Sequence, residues 1–180
     1  MLPEEIPTRR LLLRPFRVTD ADDVFGYASD AEWRRFLPVP DPYTRHDAQA
    51  FIDMTVRSDP NVRQHWAISR DGKAIGGVNM RFFDERRIAE VGYSIAHDSW
   101  GRGYAAEAVT ALIDAAFGML PMLIRVRAFA DARNARSIRV MEKAGMSREG
   151  VHRSNRFLRG KPIDELCYAI LRDEWGAPRE

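Results

Sequence analysis

The segment from Ile88 to Phe129 constrains this chain more than any other. Ile88 to Ile95 reads as a strand of partial alternation. Ile88, Glu90, Gly92 and Ser94 share one face, and Ala89, Val91, Tyr93 and Ile95 the other. It runs into Trp100-Gly101-Arg102-Gly103-Tyr104-Ala105, after which Ala108, Val109, Leu112, Ile113, Ala116 and Phe117 recur at helical spacing. Pro121 closes that helix, and Leu123 to Phe129 is again a strand. A strand, a Gly-rich turn, a helix and a strand make a right-handed crossover between parallel strands. Gly101 and Gly103 free the backbone and keep side chains away from anything bound there. The first N–H groups of the helix have no internal partner, and the helix dipole adds to them, so the turn suits an anion. A pyrophosphate fits this geometry, and Arg102 adds charge.

The rest of the chain supplies the sheet around this unit. Arg10 to Phe16 reads as a first strand, with Pro15 placing it at an edge or a bulge. Thr19 to Asp22 and Thr44 to Asp47 look like the caps of two helices, separated by the loop of Pro38, Pro40 and Pro42. His65 to Ile68 and Ala74 to Phe83 form a hairpin around Asp71-Gly72, which supplies the positive φ such a turn needs. Asn134 to Ala144 is a helix stopped by Gly145, and two last strands cover Val151 to Phe157 and Ile163 to Leu171. The order is β-α-α-β-β-β-α-β-α-β-β, with no repeat or linker. One α/β (α+β) domain over residues 1–180 is expected, with a mixed sheet of seven strands flanked by about four helices.

Composition narrows the partners. Basic residues number 28 and acidic ones 26, a net charge of +2 that gives no electrostatic footprint for nucleic acid. The single cysteine, Cys167, excludes a disulfide framework and suits a reducing cytoplasm. No signal peptide opens the chain, and no stretch approaches the ~20 apolar residues of a membrane span. His46, His65, His97 and His152 have no metal-binding spacing, so no metal is expected. The chain reads as cytoplasmic, and as a monomer or a homodimer.

Alone, the Gly-x-Gly turn is weak evidence. No Gly-Lys-Ser/Thr follows, so it is not a Walker loop. Ala106 fills the third slot of a dinucleotide fingerprint, which leaves an oxidoreductase as a formal competitor. Against that reading, the turn lies mid-chain after antiparallel strands, and Leu120-Pro121-Met122-Leu123-Ile124 stands where an acidic residue belongs.

The wider pattern decides. Glu90-Val91-Gly92-Tyr93-Ser94-Ile95 followed by Trp100 to Ala108 resembles the central motif of the GNAT N-acetyltransferase superfamily. Asn134-Ala135-Arg136-Ser137 with Glu142 to Met146 is similar to its second cofactor motif. Thr8 to Phe16, Tyr168 to Trp175, and Trp100 in place of the usual Gln or Arg resemble the branch of Rim-type ribosomal-protein N-acetyltransferases.

The resemblance implies that the fourth and fifth strands splay apart and that acetyl-CoA lies in the opening. Backbone groups of Ser94, Ile95 and Ala96 would hold its pantetheine arm, and the amides from Gly101 through Arg102, Gly103, Tyr104 and Ala105 to Ala106 its pyrophosphate. Asn134 and Ser137 would contact the cofactor, although Asn134 also reads as a helix cap. Glu90 matches a catalytic glutamate, the general base, against the plainer reading of a strand Glu paired with Arg87. The tyrosine that many relatives use as acid is Met141 here, which leaves Ser137 as the substitute. Trp33, Phe36 and His97 are candidates for the acceptor side, each with a structural alternative as loop anchor or surface residue. The acceptor implied is a primary amine, best a protein N-terminus. A small amine, amino acid or aminoglycoside, and a non-catalytic acyl-CoA-binding module, are the competing readings.

Overall fold

A computed structural model describes residues 1–176; residues 177–180, the end of the expected domain, lie outside the described residues. Eight strands form one sheet in the order β1-β2-β3-β4-β5-β6-β8-β7. They are β1 (Ile6–Pro7), β2 (Leu12–Arg14), β3 (Arg63–Arg70), β4 (Lys73–Phe83), β5 (Ile88–Ile95), β6 (Arg125–Asp131), β7 (Ser147–Leu158) and β8 (Lys161–Leu171). The helices are α1 (Ala21–Ala28), α2 (Ala31–Arg34), α3 (Arg45–Arg57), α4 (Tyr104–Met119) and α5 (Ala135–Lys143). The seven expected strands are present, and the two-residue β1 precedes them against β2. The fifth helix is the single turn α2, capped by Asp30, whose carboxylate accepts from the Glu32 amide.

β5 and β6 pair in parallel through the α4 crossover, and every other neighbouring pair is antiparallel. β4 alternates buried residues with half-buried or exposed ones, as a strand with two different faces must. β8, enclosed by β6 and β7, is instead buried continuously from Glu165 to Ile170. Two cores flank the sheet. Leu112, Ile113, Ala116 and Phe117 of α4 pack with Val91, Val126 and Ile170 on one side. Phe16, Val24, Trp33, Tyr43 and Ile52 close the other beneath α1 and α3. That second core leaves part of its sheet face open.

The β5–β6 pairing is short. Only Ile88 with Arg125, Ala89 with Val126 and Glu90 with Arg127 are in register, after which the strands part. Val91 to Ile95 stay paired on the β4 side alone. Gly76 makes that contact possible, since a Cβ there would overlap the Ser94 carbonyl and lie 2.9 Å from Ile95 Cα.

Candidate functional site

The splay gives β5 a free edge. Ala96 donates its N–H to Ile75, so by ladder alternation Ser94 and Gly92 also face β4, while the N–H groups of Tyr93 and Ile95 face the opening. Beyond β5 the chain crosses the Gly-rich turn. Gly101 and Gly103 have φ of 75° and 79°, a region in which L side chains are strained. A Cβ at Gly101 would project into open space. The helical ladder of α4 begins with Glu107 donating to Gly103, which leaves the amides of Tyr104, Ala105 and Ala106 outside it. Those residues line a cavity of about 340 Å³, together with Ser94, Ile95, Trp100, Asn134 and Ser137. Its cations are Arg136, Arg139 and Lys143 of α5. A glycine cradle with free amides, an apolar wall and a basic flank fits a thioester that carries phosphates at one end.

A second cavity, a groove of about 750 Å³, lies on the sheet face beneath α1 and α3. Glu90, Gly92, Asn79 and His65 form its floor, and the loop from Trp33 to Val39 one wall. His152, Asn155 and Arg156 form the wall opposite. Arg159, at the tip of the β7–β8 hairpin, ties the walls together by donating to the carbonyls of Arg34 and Arg35 and to Asp41. The cavity and the groove share Trp33, Phe36, Leu37, Tyr93, Ser94, Asn134 and Ser137, so they meet at the mouth of the splay.

Three polar contacts set the chemistry there. The Glu90 carboxylate accepts from Arg127 Nε at 3.2 Å. Arg127 is thus its partner, and Arg87 instead faces Glu85. Asn134 caps α5, with Oδ1 accepting from the Ser137 amide at 3.2 Å. The Tyr93 hydroxyl lies 2.9 Å from the Ser137 carbonyl and 2.8 Å from Ser137 Oγ. A carbonyl only accepts, so the phenol donates to it, and the serine hydroxyl is left to donate to the phenol oxygen. Burial pushes the Tyr93 phenol well above its usual range, only partly offset by the Ser137 bond, so it stays protonated.

The predicted residues do not all gather. Trp33 and Phe36 line both cavities. Ala96 is buried outside the cavity wall, and the Ile95 carbonyl accepts the Trp100 indole N–H at 2.9 Å. Arg102 is exposed and outside the wall; its carbonyl accepts from Arg10. His97 also lies outside both walls. It pairs with Asp30 at 2.8 Å and packs at a tilt against Trp100, whose ring also lies 4.5 Å from the Arg136 guanidinium. Met141 is fully buried in the main core.

Sequence reasoning missed Tyr93, Arg10, Asp131 and Glu165. Arg10 holds the turn from outside, bonding Glu107 and the Arg102 carbonyl and lying over the Tyr104 ring. Asp131 and Glu165 put carboxylates in the groove from β6 and β8. Both are engaged: hydrogen bonds from Arg133 hold Asp131 below the usual carboxylate range, and Arg156 lies 3.0 Å from Glu165. Among the described residues, no group of His, Cys, Asp and Glu could hold a metal ion. None of their helices is long and apolar enough to cross a membrane.

Known proteins share this arrangement. The profile of the acetyltransferase (GNAT) domain matches residues 10–147. The uncharacterized N-acetyltransferase YnaD of Bacillus subtilis (strain 168) is 33% identical over 172 residues, 94% of this chain and 98% of its own. YdaF of the same organism, which is named, provisionally, a ribosomal N-acetyltransferase, is 35% identical over 58% of this chain and 57% of its own. The crystal structure of an acetyltransferase of the GNAT family from Bacillus anthracis superposes with a TM-score of 0.84 at 27% identity, over 94% of this chain and 99% of that one. The match spans the strand, the glycine turn and the capped helix that frame the splay, and this chain belongs to the GNAT family as an acetyl-CoA-dependent N-acetyltransferase.

Proposed function

We propose that this chain acetylates the amine at a polypeptide N-terminus, with acetyl-CoA in the cavity beside the glycine turn and the amine arriving through the groove. The observation that carries this reading is the meeting of the two cavities at Tyr93, Ser94 and Ser137. The groove is about twice the size of the cavity, and its walls are bridged by Arg159, a shape that suits a chain entering end-on. The provisional name of YdaF points the same way.

Acetyl-CoA supplies the activated acetyl group. The amides of Tyr104, Ala105 and Ala106 hold its phosphates, with Arg136, Arg139 and Lys143 beside them. The free N–H of Ile95 offers a hydrogen bond to a carbonyl oxygen at the splay. Glu90, held by Arg127, takes the proton that the amine must lose, directly or through water. The Ser137 hydroxyl swings its hydrogen from the Tyr93 oxygen to the departing sulfur, while the phenol stays bonded to the Ser137 carbonyl and holds the serine in place.

Incubation with acetyl-CoA and a panel of short peptides and small amines, read by thiol release and mass spectrometry, tests the reading. One acetyl group on the first residue of peptides is expected. Turnover on small amines alone would replace the polypeptide acceptor, and acetyl-CoA binding without turnover on any amine would make the chain a binding module. Ser137→Ala and Tyr93→Phe are each expected to lower kcat about tenfold, the worth of one hydrogen bond to a charged group. The double variant should be no worse than Ser137→Ala alone, because the two act as a unit. Losses that multiply would show that the hydroxyls act separately.

A further inference from the structure

Cross-strand register lines up four charged residues on the groove face. Arg63 of β3 is opposite Arg81 of β4, Arg81 is opposite Glu90 of β5, and Glu90 is opposite Arg127 of β6. Registered neighbours share a face, so this is a row of three guanidiniums and one carboxylate. The carboxylate is committed to Arg127. Arg81 lies over the Phe83 ring at 4.9 Å, and Arg127 over the same ring at 4.8 Å. Among the described residues, neither Arg63 nor Arg81 makes an ion pair. Like charges directly opposite each other destabilise a sheet, and neither of these two guanidiniums has a carboxylate of its own.

The row stands at a definite place on the acceptor path. Ser94 marks the junction with the cofactor cavity, Gly92 comes next on the same face, and Glu90 after it. A strand rises roughly 3.3 Å per residue, so an extended peptide whose amine lies over Gly92, between Ser94 and the Glu90 side chain, lays about its second to fourth residues across the row. Arg63 lines this part of the groove, with His65 one step inward on the same face. Burial first, and the Arg63 charge second, hold His65 down to about 4, so the imidazole is neutral and offers no competing cation. The phosphate-binding end of the cofactor cavity lies on the other side of the junction, so acetyl-CoA does not account for this charge.

We infer that the Arg63–Arg81–Glu90–Arg127 row selects polypeptide acceptors with an acidic side chain close behind the amine. This rests on the polypeptide reading above and names the sequences it takes. An acidic residue two to four positions from the amine meets Arg63, with the exposed Arg81 beside it just beyond the groove wall, while a lysine there meets like charge.

The test uses the full chain with acetyl-CoA and hexapeptides in which Asp is walked from position two to position five, against Ser and Lys at the same places. Aspartate at positions two to four is expected to raise kcat/KM about fivefold or more over serine, and lysine to lower it, with the spread shrinking as salt is added. Arg63→Glu is expected to invert the order, so that lysine peptides become the better ones, while circular dichroism and thermal melting check that the variant is folded. Equal rates for Asp, Ser and Lys peptides in the unaltered chain, or a preference for Asp that survives Arg63→Glu, would overturn the proposal and leave the polypeptide reading standing. Turnover of small amines but of no peptide would overturn both.

Discussion

Asp20→Ala is expected to cost about 3–5 kcal/mol of stability at neutral pH, because it leaves a buried guanidinium without its counter-charge. Arg14 is 2% exposed and Asp20 3%. Two hydrogen bonds of 2.7 and 2.9 Å join them, and Asp20 also accepts from the Arg17 amide at 2.8 Å. The pair fixes the turn from β2 into α1 and so the helix that roofs the groove. Burial alone would push the Asp20 carboxyl up. The Arg14 hydrogen bonds, the Arg17 amide and both arginine charges outweigh it and hold the carboxyl below its usual range. A carboxylate held low in the folded state contributes stability that is fully present above its unfolded pKa of about 3.9, and that is lost as pH falls through the folded value. Urea unfolding at a series of pH values should therefore show a gap between the unaltered chain and Asp20→Asn that is constant near neutrality and narrows below about pH 4. A gap that never narrows would assign the effect to shape rather than charge. Arg14→Met combined with Asp20→Leu should lose less than Asp20→Ala, because no buried charge is left behind.

What could be read from sequence follows a physical division. Local backbone demands were legible. Asp71-Gly72 turns the β3–β4 hairpin with φ of 50° and 83°, Gly101 and Gly103 take the positive φ their positions require, and Asn134 caps α5. Periodicity placed α4 and its buried face from Ala105 to Phe117. Elements too short for a period were missed. β1 has two residues and α2 four, and each is held by partners far away, as Trp66 donating to Pro3 ties down the N-terminal segment. Pairings set by register were also hidden. Glu90 lies 37 residues from Arg127, and Tyr93 44 from Ser137. Which arginine meets Glu90 depends on how far β5 and β6 run together before they part, and no local pattern encodes that length. The same holds for Arg63, Arg81 and Arg127, which look like dispersed surface charges until the ladder aligns them.

Glu90→Gln is expected to lower kcat at pH 7 by about a hundredfold or more, the range typical of a general base. A polypeptide N-terminal amine has a pKa near 8, so at neutral pH most of it is ammonium and must lose a proton before it can attack. Glu90 lines the groove but not the cofactor cavity, and its side chain shares the face of Gly92 and Ser94 that leads to the junction. Glutamine keeps its size and still accepts from Arg127, but it takes no proton. The defect should therefore shrink as pH rises past the amine's own pKa, moving the apparent optimum upward, while KM for acetyl-CoA stays near its unaltered value. A second variant separates this role from simple support. Arg127→Met breaks the same 3.2 Å ion pair and leaves the carboxylate in the groove. If Glu90 only anchored Arg127, the two variants would lose the same activity with the same pH profile. If Glu90 takes the proton, Arg127→Met keeps the pH dependence of the unaltered enzyme and loses much less. An unchanged pH–rate profile in Glu90→Gln would remove it as the base, and would leave deprotonation of the amine to solvent at the open end of the groove.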